Sequence, residues 1–302
     1  MDQYRATATV EPADAGTTRA PAPAKLNLYL HVTGRRDDGL HLLDSLVAFA
    51  ELGDRLTLDG GAPLALDLEG TFAGDLADTA DNLVPRAARW LARRAGREPA
   101  GRFRLDKQLP VASGIGGGSA DAAAALRLLA ARWDVDLDSI DPAELVAALG
   151  ADLPVCLAGV PTFVAGVGDE LTAAPALPPA DLLLVNPGVA LSTATVFGRL
   201  RQIEGEPYRF DEAPADAVAL AALLCERRND LEAPATDLAP VVGKVLAALR
   251  AAPGTLLARM SGSGATCFGL YRDAAAARAA AEAIETAHPD WWVRPTRLAA
   301  PC

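Results

Sequence analysis

A glycine-rich stretch between residues 109 and 121 carries the residue types best suited to binding phosphate. It reads Leu-Pro-Val-Ala-Ser-Gly-Ile-Gly-Gly-Gly-Ser-Ala-Asp, so that four of the five positions 114–118 are glycine. Without Cβ atoms, consecutive backbone N–H groups can turn toward one centre. The alternating residues 102–106 predict a strand before this loop, and the alanine-rich residues 120–133 predict a helix after it. Because a helix N-terminus attracts anions, the arrangement predicts a cradle for the phosphates of a nucleotide.

Two other nucleotide-binding motifs fit this loop poorly. A Walker A loop requires a lysine directly after its last glycine, whereas Ser119 follows Gly118. A dinucleotide-binding fingerprint that starts at Gly114 would place its last glycine at Ser119 and its acidic residue beyond the helix, near Asp134 or Asp136. From the loop alone, a tight turn that only packs a strand against a helix remains the alternative to a phosphate site.

The composition is typical of a soluble globular protein and limits the partners. Hydrophobic residues make up 51% of the 302 residues, charged residues make up 22%, and the net charge is −11. Nucleic acids and anionic membranes require a basic surface, so neither is expected as a partner. The four cysteines form no Cys-x-x-Cys pair, which predicts a cytoplasmic protein without a disulfide framework or a structural metal. We expect no signal peptide and no transmembrane segment.

Lysine is rare in this chain and is therefore informative. Lysine and arginine together number 28, yet only Lys25, Lys107 and Lys244 are lysines. Where arginine is the usual cation, a retained lysine marks a site that requires a compact ammonium instead of a planar guanidinium. Lys25, in a Pro-Ala-Lys-Leu-Asn-Leu segment, and Lys107, just before the glycine loop, are therefore predicted to be functional. Lys244 fits an exposed surface equally well.

The hydrophobic pattern predicts an α+β protein of two domains that follow an extension. Residues 1–20, rich in Ala, Thr and Pro, are expected to be disordered or loosely packed. Residues 24–32 place Lys25, Asn27 and Tyr29 in alternation with leucines and predict a strand with one apolar face. The proline-rich residues 173–180 predict a linker between an N-terminal domain, 21–174, and a C-terminal domain, 175–302.

The same pattern places the individual elements. Strands are predicted near 42–50, 54–59, 64–68, 102–106, 161–165, 182–185, 256–260 and 267–271. Helices are predicted over 83–94, 120–133, 142–149, 193–201, 214–226, 238–251 and 273–287, with a further short helix that opens at 152–154.

Three motifs in this order resemble those of the GHMP kinase superfamily, which contains galactokinase and the homoserine, mevalonate and phosphomevalonate kinases. They are Pro-Ala-Lys-Leu-Asn-Leu at 23–28, Leu-Pro-x-x-x-Gly-x-Gly-Gly-Gly-Ser at 109–119, and Ser-Gly-Ser-Gly-Ala at 261–265. Three further segments are similar to the branch that phosphorylates 4-diphosphocytidyl-2-C-methyl-D-erythritol in the non-mevalonate route to isoprenoids: Asp-Gly-Leu-His-x-Leu at 38–43, Gly-Ala-Asp-Leu-Pro-Val at 150–155 and Asn-Asp-Leu-Glu at 229–232. The resemblance covers residues 21–297. It implies the two-domain α+β fold of GHMP kinases, with an N-terminal nucleotide-binding domain and a C-terminal α/β domain on the substrate side.

The resemblance also implies roles for individual residues in ATP-dependent phosphorylation of the substrate's 2-hydroxyl. Asp152 would accept the proton of this hydroxyl, while Lys25 would orient it and stabilise charge near the transferred phosphoryl group. ATP and Mg²⁺ would be the cofactors, with Lys107 against the adenine and the Ser119 hydroxyl near a phosphate or the metal. The protein ligands of the metal are not predicted. The whole predicted ATP-binding set is Lys107, Pro110, Val111, Ala112, Ser113, Gly114, Ile115, Gly116, Gly117, Gly118, Ser119 and Ala120. Without the resemblance, Asp152 would be interpreted as a helix N-cap and Lys25 as a strand residue whose ammonium reaches solvent.

The implied substrate contacts are Asn27, Leu40, His41 and Phe197. His41 would read the edge of the cytosine, Phe197 would stack on this base, and Asn27 would lie against the substrate. Leu40 departs from the family, which usually has tyrosine there, so one face of the base loses a ring unless a neighbour such as Tyr29 replaces it.

Two other functions remain open at this point. One is a GHMP kinase acting on another small alcohol, such as a mevalonate-type or sugar substrate, for which His41 and Phe197 would have no use. The other is a non-catalytic nucleotide-binding protein of the same fold, in which loss of Lys25 or Asp152 would be expected. The oligomeric state is not predicted.

Overall fold

The computed structural model describes residues 10–13, 16–76, 81–201, 203, 205 and 207–299. Its strands are β1 (Glu11–Pro12), β2 (Thr17–Arg35), β3 (His41–Pro63), β4 (Ala65–Glu69), β5 (Ala100–Asp106), β6 (Thr162–Gly166), β7 (Glu170–Ala173), β8 (Asp181–Asn186), β9 (Thr255–Met260), β10 (Cys267–Tyr271) and β11 (Trp292–Arg297). Its helices are α1 (Leu83–Arg94), α2 (Gly117–Trp133), α3 (Pro142–Leu149), α4 (Leu153–Ala158), α5 (Thr193–Phe197), α6 (Ala217–Cys225), α7 (Glu232–Leu238), α8 (Val241–Ala251) and α9 (Ala274–Ala287). None of these helices is long and apolar enough to cross a membrane.

The described strands form two sheets. The first contains β1 to β7, with the long antiparallel pair β2–β3 at its centre, and the second is antiparallel in the order β11-β8-β10-β9. The chain passes from the first sheet to the second within residues 174–180, the stretch that contains the predicted domain boundary. One apolar cluster nevertheless spans both sheets, since Leu26 and Leu28 of β2 belong to it together with Leu184 and Phe268. The boundary after residue 174 stays a prediction.

Helix α2 is the element that fixes the glycine loop against the first sheet. All residues from Ala120 to Ala130 are buried, and the helix packs on α1, α4, β2 and β3. The many alanines let these neighbours approach closely while keeping a high helix propensity. The helix begins after Gly116, which has a φ of 64° and provides no side-chain cap. Its first N–H groups are therefore left to a ligand or to water.

Several elements differ from their predictions. Part of the predicted extension is structured, since Thr18 and Arg19 of β2 pair with Glu11–Pro12, whereas residues 1–9, 14 and 15 lie outside the described residues. The strands predicted at 42–50 and 54–59 form one strand, β3. The helix predicted from 238 begins only at Val241, after Pro240, and α7 precedes it. Strands β7 and β11 were not predicted.

A β-bulge changes which residues of β2 share a face. Asn27 lies opposite Val47, but Tyr29 lies opposite Leu46, so one extra residue is inserted between them. Such an insertion reverses the alternation of side chains. Tyr29 therefore lies on the opposite side from Asn27, fully buried, and donates a hydrogen bond to Asp44. The prediction of one apolar face is wrong, because both faces of β2 are covered.

Candidate active site

A cavity of about 740 Å³ lies where the two halves of the molecule meet. This volume falls in the range of small-molecule sites, roughly 300–1,000 Å³. Its lining includes Lys25 and Asn27 of β2, Asp152 before α4 and Phe197 at the end of α5. The glycine loop contributes Pro110, Val111, Ala112, Ser113, Gly114, Gly116, Gly117, Gly118 and Ser119. The fold thus brings together residues predicted to bind nucleotide and residues predicted to bind substrate.

Lys25 and Asp152 form an ion pair in this cavity. The Lys25 Nζ lies 2.9 Å from Asp152 Oδ1 and 2.9 Å from the side-chain oxygen of Asn27. The Lys25 side chain is only 4% exposed, while that of Asp152 is 46% exposed. Asp152 precedes α4 but its carboxylate caps no N–H of that helix. Asp152 does occupy the N-cap position of α4 but makes no side-chain capping bond, and the Lys25 side chain is buried instead of extending to solvent.

The glycine loop needs its glycines because protein atoms approach it from three sides. A Cβ on Gly114 would come within 2.6 Å of the carbonyl oxygens of Ser261 and Gly264. One on Gly116, whose φ is +64°, would lie 3.0 Å from Lys25 Cβ. One on Gly117 would lie 3.0 Å from Lys107 Nζ. The loop is thus in contact with both buried lysines, and the uncapped start of α2 faces the cavity beside them.

The second glycine turn, residues 261–264, braces the first loop. The Ser261 hydroxyl donates to the carbonyl of Gly114 at 3.1 Å and accepts the backbone N–H of Asn27 at 3.1 Å. Ser113 is fixed in the same region, since its carbonyl accepts the N–H of Thr266. These bonds tie the phosphate-binding candidate to β2, so the position of the loop and that of Lys25 are set together.

Lys107 lies in a buried cluster of charges in the wall of the cavity, beside the loop. Its Nζ lies 2.5 Å from Asp54 Oδ2 and 2.8 Å from Asp121 Oδ2, and all three side chains are at most 3% exposed. Burial is the largest influence on the Lys107 pKa and lowers it, but the two carboxylates outweigh it and the pKa lies above the ordinary value. Burial raises the pKa of Asp121 to about 7, against the opposing effect of Lys107. The positive charge of the Lys107 ammonium is thus balanced by carboxylates of the protein itself.

The Lys107 cluster concerns the predicted contact of Lys107 with adenine, and it contains two acidic residues that the sequence did not indicate. The backbone N–H of Lys107 donates to Glu69 and its carbonyl accepts from Phe72, so the polar groups of this residue are engaged within the protein. The contact with adenine stays a prediction, and Lys107 lines the cavity. Asp54 and Asp121 were missed by the sequence analysis. A lysine so close to a predicted core requires carboxylate partners, but the sequence does not show which of the 39 acidic residues they are.

Two residues of the predicted ATP-binding set have their side chains elsewhere. Ile115 is fully buried in the cluster shared by both sheets, and its carbonyl accepts the N–H of Lys25. Ala120 is buried in the core below α2, and its N–H bonds Gly116 within the helix. These two side chains pack into the core and do not line the cavity, and the assignment of the two residues to ATP binding stays a prediction.

Of the predicted cytosine contacts, Phe197 lines the cavity from the end of α5, whereas Leu40 and His41, where β3 begins, are not among the residues that line it. The rings of His41 and Phe197 are 4.9 Å apart between centroids and inclined by 31°. Burial, and then the charge of Arg35, lowers the pKa of His41, which favours a neutral imidazole. Leu40 is 51% exposed. Tyr29 cannot supply a second ring, because the bulge places it in the core.

Ser45 was also missed. It lines the cavity from β3 and is almost fully buried. Its hydroxyl accepts a hydrogen bond from the Asn27 amide at 2.8 Å. Only the alternation of Leu43, Ser45 and Val47 on one face of β3 could have indicated it, and that alternation is common to many strands.

Comparison with known proteins places this geometry in a family. Residues 82–160 match the GHMP kinases N terminal domain and residues 212–290 match the GHMP kinases C terminal domain. The 4-diphosphocytidyl-2-C-methyl-D-erythritol kinase of Cereibacter sphaeroides strain KD131 is 55% identical over 93% of this chain and 99% of its own length. The enzyme of the same name from Paramagnetospirillum magneticum is 51% identical over 92% and 97%.

Solved structures agree with this result. A crystal structure of 4-(cytidine 5'-diphospho)-2C-methyl-D-erythritol kinase has a TM-score of 0.74 at 34% identity and covers 93% of this chain and 100% of its own. A homoserine kinase from Cytophaga hutchinsonii has a TM-score of 0.70 at 17% identity, covering 97% of each chain, and so shows the fold alone. With half of its sequence identical to such relatives over nearly its whole length, the chain belongs to the 4-diphosphocytidyl-2-C-methyl-D-erythritol kinase family of the GHMP kinases.

Proposed function

We propose that this protein transfers the terminal phosphoryl group of ATP to the 2-hydroxyl of 4-diphosphocytidyl-2-C-methyl-D-erythritol. The observation that carries the proposal is the Lys25–Asp152 ion pair at 2.9 Å, in the same cavity as the uncapped N-terminus of α2. A phosphoryl donor requires that helix end, and an alcohol acceptor requires a group that removes its proton. The acidic chain and the three described cysteines, Cys156, Cys225 and Cys267, which form no disulfide, suit a cytoplasmic enzyme.

In the proposed mechanism, Asp152 accepts the proton of the attacking hydroxyl. Its carboxylate is open to the cavity, and Oδ1 already interacts with the Lys25 ammonium. That ammonium orients the carboxylate and stabilises the negative charge that develops between the hydroxyl and the transferred group. The N–H groups of Gly117, Gly118 and Ser119 bind the phosphates. Such a reaction depends mainly on positioning and electrostatics.

Mg²⁺ is part of the proposal. Among the described residues, no cluster of three or more His, Cys, Asp or Glu side chains could hold a metal ion. Mg²⁺ bound with a nucleotide needs few protein ligands, since the phosphates and water supply the rest. The Ser119 hydroxyl, which lines the cavity at the start of α2, is the group that fits it. The ion would reduce the negative charge of the phosphates.

The cytidine substrate is favoured over another small alcohol by one observation. His41 and Phe197 come from distant parts of the sequence, and their rings lie 4.9 Å apart between centroids, with Phe197 lining the cavity. A neutral imidazole beside an aromatic face suits a neutral heterocyclic base, whereas mevalonate or homoserine carries no such group. A non-catalytic protein would have no need of the Lys25–Asp152 pair.

An assay of ADP release tests the proposal. The purified protein with ATP and Mg²⁺ is expected to release ADP when 4-diphosphocytidyl-2-C-methyl-D-erythritol is added, and to give only background rates with mevalonate or homoserine. Equal turnover of either other alcohol would overturn the substrate assignment. Absence of turnover with every alcohol would favour the non-catalytic alternative.

A further inference from the structure

We propose that Ser45 is a positioning residue, which sets the direction of the Lys25 ammonium through the Asn27 amide. The inference rests on the proposed function, because it concerns the orientation of a group that acts in phosphoryl transfer. It concerns a residue that touches neither Lys25 nor Asp152 through a hydrogen bond among the described contacts.

The structure contains a continuous chain of hydrogen bonds from β3 to the reacting groups. The Ser45 hydroxyl donates to the carbonyl of Tyr29 at 2.5 Å. It accepts from the Asn27 Nδ2 at 2.8 Å. The Asn27 Oδ1 in turn accepts from Lys25 Nζ at 2.9 Å, and the same Nζ donates to Asp152 Oδ1 at 2.9 Å.

The direction of every bond in this chain follows from the chemistry of its members. A hydroxyl has one hydrogen, and that of Ser45 is used on the Tyr29 carbonyl, so it can only accept from Asn27. The amide of Asn27 must therefore present its NH₂ group to Ser45 and its oxygen to Lys25. Lysine is a donor only, so the oxygen is the atom that it requires. Without Ser45, rotation of the amide would place an NH₂ group against the ammonium.

The bulge in β2 is what makes this chain geometrically available. Because of it, Ser45 lies opposite Leu30 and beside the Tyr29 carbonyl, on the same side as Asn27. The Asn27 backbone is held separately, since its N–H donates to Ser261. Besides satisfying the Tyr29 carbonyl, the Ser45 hydroxyl therefore orients the side-chain amide of Asn27. The orientation of the Asn27 amide matters, because a reversed amide would direct its NH₂ group at the Lys25 ammonium and repel it.

A double-mutant cycle tests the proposal. Ser45→Ala is expected to lower kcat by about 3- to 10-fold, the equivalent of one hydrogen bond, with KM for ATP and for the alcohol within about 2-fold. In an Asn27→Ala background, Ser45→Ala is expected to change kcat by less than about 2-fold, because its only route to Lys25 has been removed. Ser45→Cys, with similar volume and a weak acceptor, serves the same purpose if the alanine variant does not fold.

Thr162→Val is the matched control. Thr162 is fully buried in β6, beside β3, and its hydroxyl bonds the carbonyl of Val160. Its loss is expected to leave kcat unchanged. Unaltered kcat in Ser45→Ala, a change confined to KM, or equal effects of Ser45→Ala with and without Asn27 would each overturn the proposal. The cycle is measured with the alcohol that the wild-type protein turns over, so that a wrong substrate assignment is detected in the wild type first.

Discussion

Lys25 and Lys107 contact neighbouring glycines of the same loop but lie in opposite kinds of surroundings. Both ammonium groups are buried. Lys25 has one carboxylate partner, Asp152, whose side chain is 46% exposed and faces the cavity. Lys107 has two partners, Asp54 and Asp121, which are 0% and 3% exposed. A ligand can therefore reach the first ion pair readily, whereas the second lies in the cavity wall, where Lys107 and Asp121 are buried but still line the cavity.

The difference explains how one residue type serves two purposes on either side of a phosphate-binding loop. An ammonium that shares an accessible carboxylate can act on a bound hydroxyl and phosphate. An ammonium held between two buried carboxylates joins the elements that carry them, here β3 through Asp54 and the first turns of α2 through Asp121. Lys25 is expected to determine the rate, and Lys107 the stability and the position of α2.

The largest effect is expected at the accessible pair. Asp152→Asn should lower kcat by roughly 10²- to 10⁴-fold, the usual cost of losing a general base. The unfolding free energy should fall less than at Lys107, because the asparagine oxygen and Asn27 can still accept from the buried Lys25 ammonium and Asp152 itself is half exposed. Lys25→Arg should also give low kcat, since a planar guanidinium cannot replace a compact ammonium. Steady-state kinetics with urea unfolding of each variant measures both effects. Near-normal kcat in the arginine variant would contradict the role given to this lysine.

At the Lys107 cluster, the main effect is expected on stability instead of on the rate. Lys107→Met should lower the unfolding free energy by about 3–5 kcal/mol, because two buried carboxylates lose their counter-charge. Lys244→Met, at an exposed lysine of α8, should change it by less than about 0.5 kcal/mol. Chemical unfolding compares the two. If Lys107→Met proved stable but inactive, Lys107 would belong with Lys25, and the comparison would be wrong.

The pH dependence of the unfolding free energy tests the burial of Asp121 in the Lys107 cluster. Burial raises the pKa of Asp121 from 3.8 to about 7, so the folded state binds this proton more tightly than the unfolded state does. The contribution of Asp121 is thus fully present below pH 3.8 and is lost as the pH rises to about 7. Relative to Asp121→Asn, the wild-type protein should lose unfolding free energy across this window and remain level above it. A wild-type advantage that grows with pH would contradict the raised pKa.

Substitutions at Gly116, beside Lys25, and at Gly117, beside Lys107, should perturb each lysine less than replacing the lysine itself. Gly116→Ala places a Cβ against Lys25 and forces a left-handed residue, which costs about 1–2 kcal/mol. We expect kcat to fall about 10-fold as the ammonium is displaced. Gly117→Ala places its Cβ 3.0 Å from Lys107 Nζ and should mainly lower stability. Gly61→Ala, whose Cβ would meet only Asp59 Oδ1 at 3.8 Å away from the cavity lining, is the control. Equal kinetic effects at 116 and 117 would show that the loop does not separate the two lysines.

Sequence patterns predicted most helices and strands, because the residues that begin and end these elements lie within or next to them. Asn82 caps α1, Asp141 caps α3 and Asp273 caps α9, as such residues do at helix starts. The two lysines were singled out by their rarity as functional candidates, and both are buried in the structure. Rarity could not distinguish their roles, since these depend on partners 127, 53 and 14 residues away. The bulge that moves Tyr29 to the other face depends on the pairing of β2 with β3, which no pattern within β2 reveals.

The smallest effect is expected at Leu40, beside the His41–Phe197 pair. Leucine offers apolar contact without a ring, and Tyr29 cannot replace the missing face because it is buried beside Asp44. Stacking of a base on an aromatic ring is worth roughly 1–3 kcal/mol, of which leucine recovers part by dispersion. Leu40→Tyr should therefore lower KM for the cytidine substrate by a few-fold to about tenfold. The kcat should stay unchanged, because the proposed base contacts do not include the Lys25–Asp152 pair. Leu40 is 51% exposed, so a larger ring needs no repacking, and the melting temperature serves as the control. An unchanged or higher KM in a variant of normal stability would mean that the cytosine is bound without a ring at this position.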